Sequence, residues 1–305
     1  MTADKQLNSR VRRRTVLNSG AAVAILSLLG CAPQDGNQRS TAPTPRPELP
    51  TASAPQSSQP VFPEAALSSA QAVERYTGKP AGEFGLEVPG IQLSLPAGSR
   101  AATLTFDACG GANGSGYDAA LIQALRTHRV PATLFVNQRW AEQNRSTLAE
   151  LAADPLFEIA NHGTTHAPLA SSGQSAYGIQ GTGSIAEAYA EIMDNQRYLF
   201  EEFGVQCRFF RSGTAHMDEL SAALVRELEI IPMNFTVNLD AGATLSAAQV
   251  TTALGNVGRG DVGIGHFNQP GGATAAGITA GLPGLRDRLD AQGVQLLRLG
   301  DVLTI

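Results

Sequence analysis

Two histidines four residues apart have the residue type and spacing to bind a metal ion. His162 and His166 lie in the stretch EIANHGTTH, which ends a short apolar run, and the chain has only five histidines. Imidazole nitrogen is a common ligand of zinc and related ions. A catalytic site needs a third ligand, usually a carboxylate, and a position open to water. The same spacing is also typical of a structural turn, so the elements around it must distinguish the two interpretations.

Apolar, β-rich segments alternate along the chain with segments of helical period. This alternation predicts parallel strands joined by crossover helices. Strands are predicted at residues 101–107, 131–137, 156–161, 207–212, 231–237, 262–266 and 294–299. Helices are predicted at residues 117–128, 139–153, 184–204, 217–229, 245–257 and 281–293. Seven such units predict a (β/α) barrel with one unit fewer than the usual eight, and an open doubly wound sheet is the alternative.

Polar side chains follow most of these predicted strands at the point where each strand ends. In a parallel barrel the carboxyl ends of the strands meet at one rim, and chemistry is found there. The residues placed at this rim are Asp107, Asn137, Asn161, His162, Arg211, Asn238, Asp240 and His266. We therefore expect side chains that are distant in sequence to converge, which favours a metal site over a structural turn at His162 and His166.

Five motifs in a fixed order resemble those of the polysaccharide deacetylase family, which includes chitin and peptidoglycan deacetylases. The motifs are LTFDACGG, NHGTTH, RFFRSG, VNLDAG and IGHFNQP, within residues 101–300. The resemblance implies a distorted seven-stranded (β/α) barrel. It also implies that the protein removes acetyl groups from N-acetylglucosamine units of a polysaccharide, with a divalent metal ion as cofactor and zinc as the expected ion.

The resemblance also assigns a role to individual residues. Two are metal ligands and four act in catalysis. They are His162 and His166 as the ligands, Asp107 as general base, Arg211 as the side chain that orients this base, His266 as general acid, and Asp240 as its partner. The stretch around Asp240 matches the family least well.

One position departs from the family pattern, because Ala108 stands where the motif has a second aspartate that binds the metal. The third ligand could then be Asp118, His216, Asp240 or water. Alternatively, Asp107 binds the metal and another group is the base, or metal binding is weak or absent. Retained metal is favoured because both histidines remain. Cys109 has no general base evident beside it in the sequence, so we do not expect a thiol nucleophile.

The amino-terminal region predicts export and membrane attachment. RRTVLN, at residues 13–18, resembles a twin-arginine export signal, and LLGC resembles a lipobox that ends at Cys31. The apolar run before Cys31 is too short to span a bilayer. We expect an export and lipoprotein signal at residues 1–31, a flexible tether rich in Pro, Ser and Thr at 32–66, and a deacetylase-like domain at 67–305. A plain secretory signal with a chance cysteine is the alternative.

Composition limits the remaining partners. The chain has 27 acidic and 22 basic residues, and residues 1–30 are mostly basic among their charges, so the rest is more acidic. We therefore expect no nucleic-acid partner. The polysaccharide substrate is implied by the family resemblance. Cys109 and Cys207 could form a disulfide or be two thiols, and the sequence does not indicate the oligomeric state. Because of Ala108, a non-catalytic glycan-binding protein stays open, as does a hydrolase of small amides.

Overall fold

The computed structural model of the protein describes residues 61–304. The predicted export signal at residues 1–31, the predicted lipid attachment at Cys31 and most of the predicted tether at 32–66 lie outside these residues. Among the residues described, none of the helices combines the length and apolar character needed to span a membrane.

The strands form one parallel sheet that curls into a barrel and one small antiparallel pair. In chain order the described strands are β1 (Phe84–Gly85), β2 (Ala101–Ala108), β3 (Ala132–Val136), β4 (Phe157–Asn161), β5 (Phe209–Phe210), β6 (Met217–Asp218), β7 (Ile231–Pro232), β8 (Val237–Asn238), β9 (Val262–His266) and β10 (Gln295–Leu296). The order in the large sheet is β7-β5-β4-β3-β2-β9-β8, and β10 also pairs with β2. Strands β1 and β6 form the antiparallel pair. The predicted distorted seven-stranded (β/α) barrel is confirmed.

Helices follow most of these strands, as crossover connections require. They are α1 (Ser69–Tyr76), α2 (Ala119–His128), α3 (Gln138–Gln143), α4 (Arg145–Ala153), α5 (Ile185–Phe203), α6 (Glu219–Glu227), α7 (Ala247–Gly255), α8 (Thr274–Ala291) and α9 (Leu299–Val302). The helix predicted at residues 139–153 is two helices that meet at Asn144. Helix α8 begins before the predicted residue 281, so residues 274–280 belong to the helix.

The predicted fifth strand, residues 231–237, is divided into two short strands that pair with different neighbours. Its first part, β7, pairs with β5, and its second part, β8, pairs with β9. Between them the backbone of Gln92 inserts: its N–H donates to the carbonyl of Pro232 at 2.8 Å, and its carbonyl accepts from the N–H of Asn234 at 2.8 Å. The two ends of the curled sheet, β7 and β8, are therefore consecutive parts of one bent segment of the chain.

The predicted seventh strand, residues 294–299, is also shorter than expected. It pairs with β2 only at Gln295 and Leu296, and the chain then turns into α9. Leu299 and Leu303 are buried in one apolar cluster with Ala101 and Phe209. The last described residues thus cover the end of the barrel at which the strands begin.

The side chains of β2 alternate between the apolar layer under the helices and the interior of the barrel, since successive side chains of a strand point to opposite faces. Ala102, Leu104, Phe106 and Ala108 pack in the apolar layer between the sheet and the helices. The side chains between them point into the barrel, where Thr105 donates to the carbonyl of Gly263 at 2.8 Å. The interior of the barrel becomes polar toward the carboxyl end of β2, where the candidate site lies.

Candidate functional site

Strand register brings the predicted site residues to one rim of the barrel. Asp107 lies directly opposite His266 in the pairing of β2 with β9. On the other side, Asn161 at the end of β4 pairs with Phe210 at the end of β5, so His162 and Arg211 follow side by side. Asp107, His162, His166 and His266 line a cavity of about 420 Å³, whereas Arg211 and Asp240 lie behind this lining. A cavity of this size lies in the range of small-ligand sites.

Asp107 and Arg211 form a buried ion pair beneath this cavity. The guanidinium Nη1 of Arg211 donates to Asp107 Oδ1 at 2.6 Å and to Thr105 Oγ1 at 3.0 Å. Burial by itself would raise the pKa of Asp107, but the charges of Arg211, His162 and His266, together with the hydrogen bond from Arg211, outweigh it and lower that pKa. Asp107 is therefore held as a carboxylate, with Oδ1 occupied and Oδ2 directed to other partners.

The guanidinium of Arg211 is held by hydrogen bonds and by an aromatic ring, so it can fix the position of Asp107 although it is buried. Its Nε donates to the carbonyl of Met233 at 3.1 Å, and its Nη2 donates to the carbonyl of Asn234 at 3.1 Å. Its guanidinium carbon lies 4.0 Å from the centre of the Phe135 ring. These carbonyls belong to the bend between β7 and β8, so the divided fifth strand supplies acceptors that a regular strand would use in its ladder.

His266 and Asp240 form a second pair on the opposite side of the cavity. His266 Nδ1 lies 2.9 Å from Asp240 Oδ1, and the backbone N–H of His266 donates to Asp240 Oδ2 at 2.7 Å. The hydroxyl of Thr274, the first residue of α8, also donates to Oδ2 at 2.9 Å. Burial would lower the pKa of His266, but hydrogen bonds to Asp240 and Cys109, together with the charges of these two groups, hold that pKa well above its usual value.

His162 is oriented so that one ring nitrogen is available in the cavity. Its Nδ1 lies 2.9 Å from the backbone carbonyl of Arg211, so this nitrogen carries the proton and donates it. Its Nε2 is then free as a ligand, the arrangement found in metal-binding histidines. Nε2 lies 3.6 Å from Asp107 Oδ2 and 3.8 Å from Cys109 Sγ. The side chain is 1% exposed.

His166 is held by a strained loop. Its φ is 65°, in the left-handed region that non-glycine residues seldom adopt. Its ring lies edge-on to that of His162, with the centroids 4.9 Å apart. A side-chain carbon at Gly213 would lie 2.0 Å from the His166 carbonyl oxygen, so only glycine allows the two backbones to approach this closely.

Glu191 of α5 fixes the backbone on both sides of His166. Its carboxylate accepts from the N–H of Thr165 at 2.9 and 3.0 Å, from the Thr165 hydroxyl at 2.7 Å, and from the N–H of Ala167 at 3.2 Å. Burial raises the pKa of Glu191, while the hydrogen bonds from Thr165 oppose that increase. A buried carboxylate with this many donors indicates a loop whose position is closely specified.

Sequence analysis missed Glu191, although a signal was present. The buried face of α5 carries three polar residues among its apolar ones: Glu191, Asn195 and Gln196. Asn195 and Gln196 both contact the side chain of Asn161, which in turn accepts from the N–H of Gly163 at 2.8 Å. Polar residues on the buried stripe of an amphipathic helix are uncommon unless they are satisfied by partners. Here their partners belong to the turn that carries both histidines.

The residues considered as a third metal ligand are placed elsewhere. Asp118 caps α2 by accepting from the N–H of Leu121. His216 lies between the rings of Phe84 and Tyr177, and Asp240 is paired with His266.

The third potential metal-ligand atom beside the two imidazoles is Sγ of Cys109. The ligand atoms of Cys109, His162 and His166 all lie within 4.8 Å of one another. Cys109 and Cys207 are both free thiols. Burial would raise the pKa of Cys109, but hydrogen bonding with the imidazoles of His162 and His166 holds it well below the usual thiol value. Two nitrogens and one sulfur of this kind form a donor set that suits a zinc-like ion.

Comparison with known proteins identifies a family and a common fold. The family model described as polysaccharide deacetylase matches residues 95–232, which confirms the resemblance, although Asp240 and His266 lie beyond the match. No curated protein matches the chain significantly. A solved structure of the Bc1960 peptidoglycan N-acetylglucosamine deacetylase is 22% identical, with a TM-score of 0.56, over 69% of this chain and 91% of that one.

Two further solved structures have the same fold. Bacillus subtilis PdaA, a family 4 carbohydrate esterase, is 17% identical, with a TM-score of 0.55, over 70% of this chain and 84% of that one. A CE4 family pseudoenzyme from Bacillus anthracis is 17% identical, with a TM-score of 0.56, over 72% of this chain and 70% of that one. At such identities the likeness is one of fold, and the fold accommodates a pseudoenzyme as well as an esterase.

Proposed function

Residues 95–232 belong to the polysaccharide deacetylase family, and from this premise we propose that the chain is a metal-dependent hydrolase that removes N-acetyl groups from a polysaccharide containing N-acetylglucosamine. One observation carries the proposal: the Asp107–Arg211 pair, the His266–Asp240 pair and the two imidazoles of His162 and His166 converge on one cavity. An ionised base, a protonated acid and a pair of metal ligands are the groups that amide hydrolysis requires.

The reaction needs help at both ends of the amide, because the carbonyl is a poor electrophile and the amine is a poor leaving group. A divalent ion bound by His162 and His166, with zinc as the expected ion, would polarise the carbonyl and lower the pKa of a water toward about 7. Asp107 Oδ2 accepts the proton of the attacking water. Arg211 keeps Asp107 ionised and aims it, because it occupies Oδ1.

His266 completes the reaction at the nitrogen. Asp240 holds Nδ1, so Nε2 is the nitrogen that can reach the substrate. The raised pKa of His266 favours the imidazolium, which can give its proton to the departing amine. The carbon–nitrogen bond then breaks as the water oxygen stays on the carbonyl carbon, and the products are acetate and a free amino sugar.

The test is release of acetate from N-acetylglucosamine oligomers, with the free amines counted in parallel. His266→Ala should reduce the rate by at least about a hundredfold, since a positioned proton donor contributes on the order of 10²–10⁴-fold. His128→Ala is the matched control, because His128 ends α2, is only half-buried and does not line the cavity. Removal of bound metal with a chelator should also abolish release, and added zinc should restore it. Full activity in His266→Ala would refute the assignment.

A non-catalytic glycan-binding protein is the second candidate, and Ala108 is the observation that favours it. A carboxylate is missing from the motif there, and a pseudoenzyme shares the fold. Metal analysis separates the two candidates. A divalent ion that stays bound through purification supports the hydrolase, whereas absence of metal together with retained oligosaccharide binding supports the binding protein. Activity on small amides but not on oligomers would instead identify a small-molecule amidohydrolase.

We place this activity in the cell envelope, with the domain attached to a membrane through a lipid on Cys31. The motifs RRTVLN and LLGC and the Pro, Ser and Thr-rich stretch after them support this location. Wild-type protein should sediment with membranes and incorporate labelled fatty acid. Cys31→Ala should remove the label and release the protein. Membrane attachment that persists without label would contradict lipid anchoring and leave the catalytic proposal unaffected.

A further inference from the structure

The side chain at position 108 does not point toward the candidate metal site. Ala108 is fully buried in the apolar layer between the sheet and the helices, where Leu104 and Phe106 also lie. Side chains of a strand alternate between its two faces, so Asp107 points to the opposite side. Cys109 continues the series that includes Thr105 and Asp107, and it lines the same cavity as Asp107. The residue that replaces a carboxylate in space is therefore Cys109.

Distances between donor atoms agree with this placement. In a tetrahedral zinc site, with Zn–S about 2.3 Å and Zn–N about 2.0–2.1 Å, a sulfur and a nitrogen lie about 3.6 Å apart. Cys109 Sγ lies 3.8 Å from His162 Nε2. The donor atom of His166 completes a triangle with no side longer than 4.8 Å. These separations are close to those that one shared ion requires, so small side-chain adjustments bring all three donors to it.

The chain around Cys109 fixes its sulfur in this position. Gly110 and Gly111, which follow it, both have positive φ, at 69° and 83°, so the backbone turns sharply away from the cavity. The carbonyl of Cys109 accepts from Arg139 Nη2 at 3.2 Å. A carbon added to Gly110 would lie 2.6 Å from the backbone nitrogen of Trp140, so the turn packs directly against α3.

We propose that Cys109 is the third protein ligand of the metal, as a thiolate, and that it completes a site of two imidazoles and one sulfur. This inference rests on the metal dependence proposed above and goes beyond it in naming the ligand. The thiol loses its proton to solvent when the metal binds, and the sulfur–metal bond forms in its place. The net charge of the ligand set stays the same as with a carboxylate.

The inference has two consequences for the site. Asp107 is not needed as a ligand, so its Oδ2 stays available as base. A thiolate is also a soft ligand, which favours zinc, cobalt or cadmium over magnesium or manganese. A site of two imidazoles and a carboxylate would discriminate less between these ions.

Cobalt substitution tests the inference directly. The full-length protein is loaded with Co²⁺, and the absorption spectrum is compared between wild type and single cysteine variants. A thiolate ligand produces an intense charge-transfer band in the near ultraviolet, which imidazole and carboxylate ligands do not. We expect the band in wild type, in Cys207→Ala and in Cys31→Ala, and its loss in Cys109→Ala. Cys207 is the matched control, because it is buried in the core and bonded to no other cysteine.

Metal affinity and a carboxylate variant provide the second arm. Cys109→Ala should raise the metal dissociation constant at least about tenfold, since even outer partners of a ligand change affinity about 10–100-fold. Cys109→Asp should recover metal binding without the sulfur band. A wild-type protein that binds Co²⁺ and releases acetate but lacks the band would overturn the thiolate ligand and leave the proposed function standing. Intact band and affinity in Cys109→Ala would overturn it equally, whereas a band without deacetylation would refute only the proposed function.

Discussion

Gly213→Ala is expected to displace His166 and weaken metal binding, although Gly213 itself has no side chain in the site. Its added carbon would lie 2.0 Å from the carbonyl oxygen of His166, 2.2 Å from the carbonyl carbon, and 2.9 Å from the N–H nitrogen of Ala167. Gly213 is not in the left-handed region, so the backbone itself tolerates alanine. The effect therefore arises from the contact alone.

The size of the effect follows from the distances. Side-chain carbons do not approach other heavy atoms closer than 3.0 Å, so the two segments must separate by about 1 Å. Metal–ligand distances tolerate only about ±0.2 Å, so His166 cannot keep its place on the ion after such a shift. Glu191 holds the N–H groups on both sides of His166, so the loop cannot yield without losing hydrogen bonds. We expect a loss of metal affinity of at least about tenfold and a destabilisation of about 1–3 kcal/mol.

The assay is competition for zinc against a coloured chelator, with thermal unfolding measured on the same samples. Gly284→Ala is the matched control: Gly284 is an exposed residue of α8 with no heavy atom within 4 Å of the added carbon. This control should bind metal normally and gain about 0.5–1 kcal/mol, because alanine favours helix. Wild-type affinity and stability in Gly213→Ala would show that the His166 loop is not held as described.

Three further changes test other parts of the site. Asp240→Asn removes a carboxylate that raises the pKa of His266, so the alkaline limb of the pH–rate profile should move toward lower pH. An unmoved limb with uniformly reduced rates would contradict this. Glu191→Gln puts an N–H₂ group against N–H donors, so it should lower the free energy of unfolding by about 1–3 kcal/mol and weaken metal binding. Chemical denaturation and zinc competition measure these two effects. No loss in either would show that Glu191 does not fix the His166 loop. Tyr177 is 78% exposed on the cavity rim, where its ring could stack on a sugar of the substrate. Tyr177→Ala should therefore raise KM for oligomers and leave KM for a small N-acetyl amide unchanged. Equal effects on the two substrates would exclude sugar stacking.

Regular strands were predicted well because their apolar patterns are strong and local. The predicted strand at 262–266 has the same bounds in the structure, and that at 101–107 differs by one residue. The divided strand at 231–237 was missed because the division depends on Gln92, which is distant in sequence and supplies hydrogen bonds to Pro232 and Asn234. Residues 231–237 contain no local sequence pattern that indicates pairing with Gln92.

The placement of site residues at strand ends could be predicted, but the ligand geometry could not. Asp107 and His266 follow from strand register, since both lie at the carboxyl ends of neighbouring parallel strands. Cys109 was considered as a nucleophile and as a disulfide partner of Cys207 but not as a metal ligand, because matching by motif position directs attention to Ala108. Strand alternation was the available signal: a residue at 109 shares the face of Asp107. Glu191 could have been predicted from the polar residues on the otherwise apolar, buried face of α5.

A motif with one missing carboxylate can retain its chemistry when the two oxygens of the remaining one have separate tasks. Arg211 occupies Oδ1 of Asp107, while Oδ2 lies 3.6 Å from His162 Nε2. If Oδ2 bound the metal, the site would have no ionised base at this position, since Asp240 is engaged with His266. A thiolate at Cys109 removes this conflict, because it supplies the anionic ligand from the residue that directly follows β2, two positions after Asp107. Alanine at position 108 is therefore compatible with a working base, and metal binding by Cys109→Ala tests whether the sulfur takes the place of the missing carboxylate.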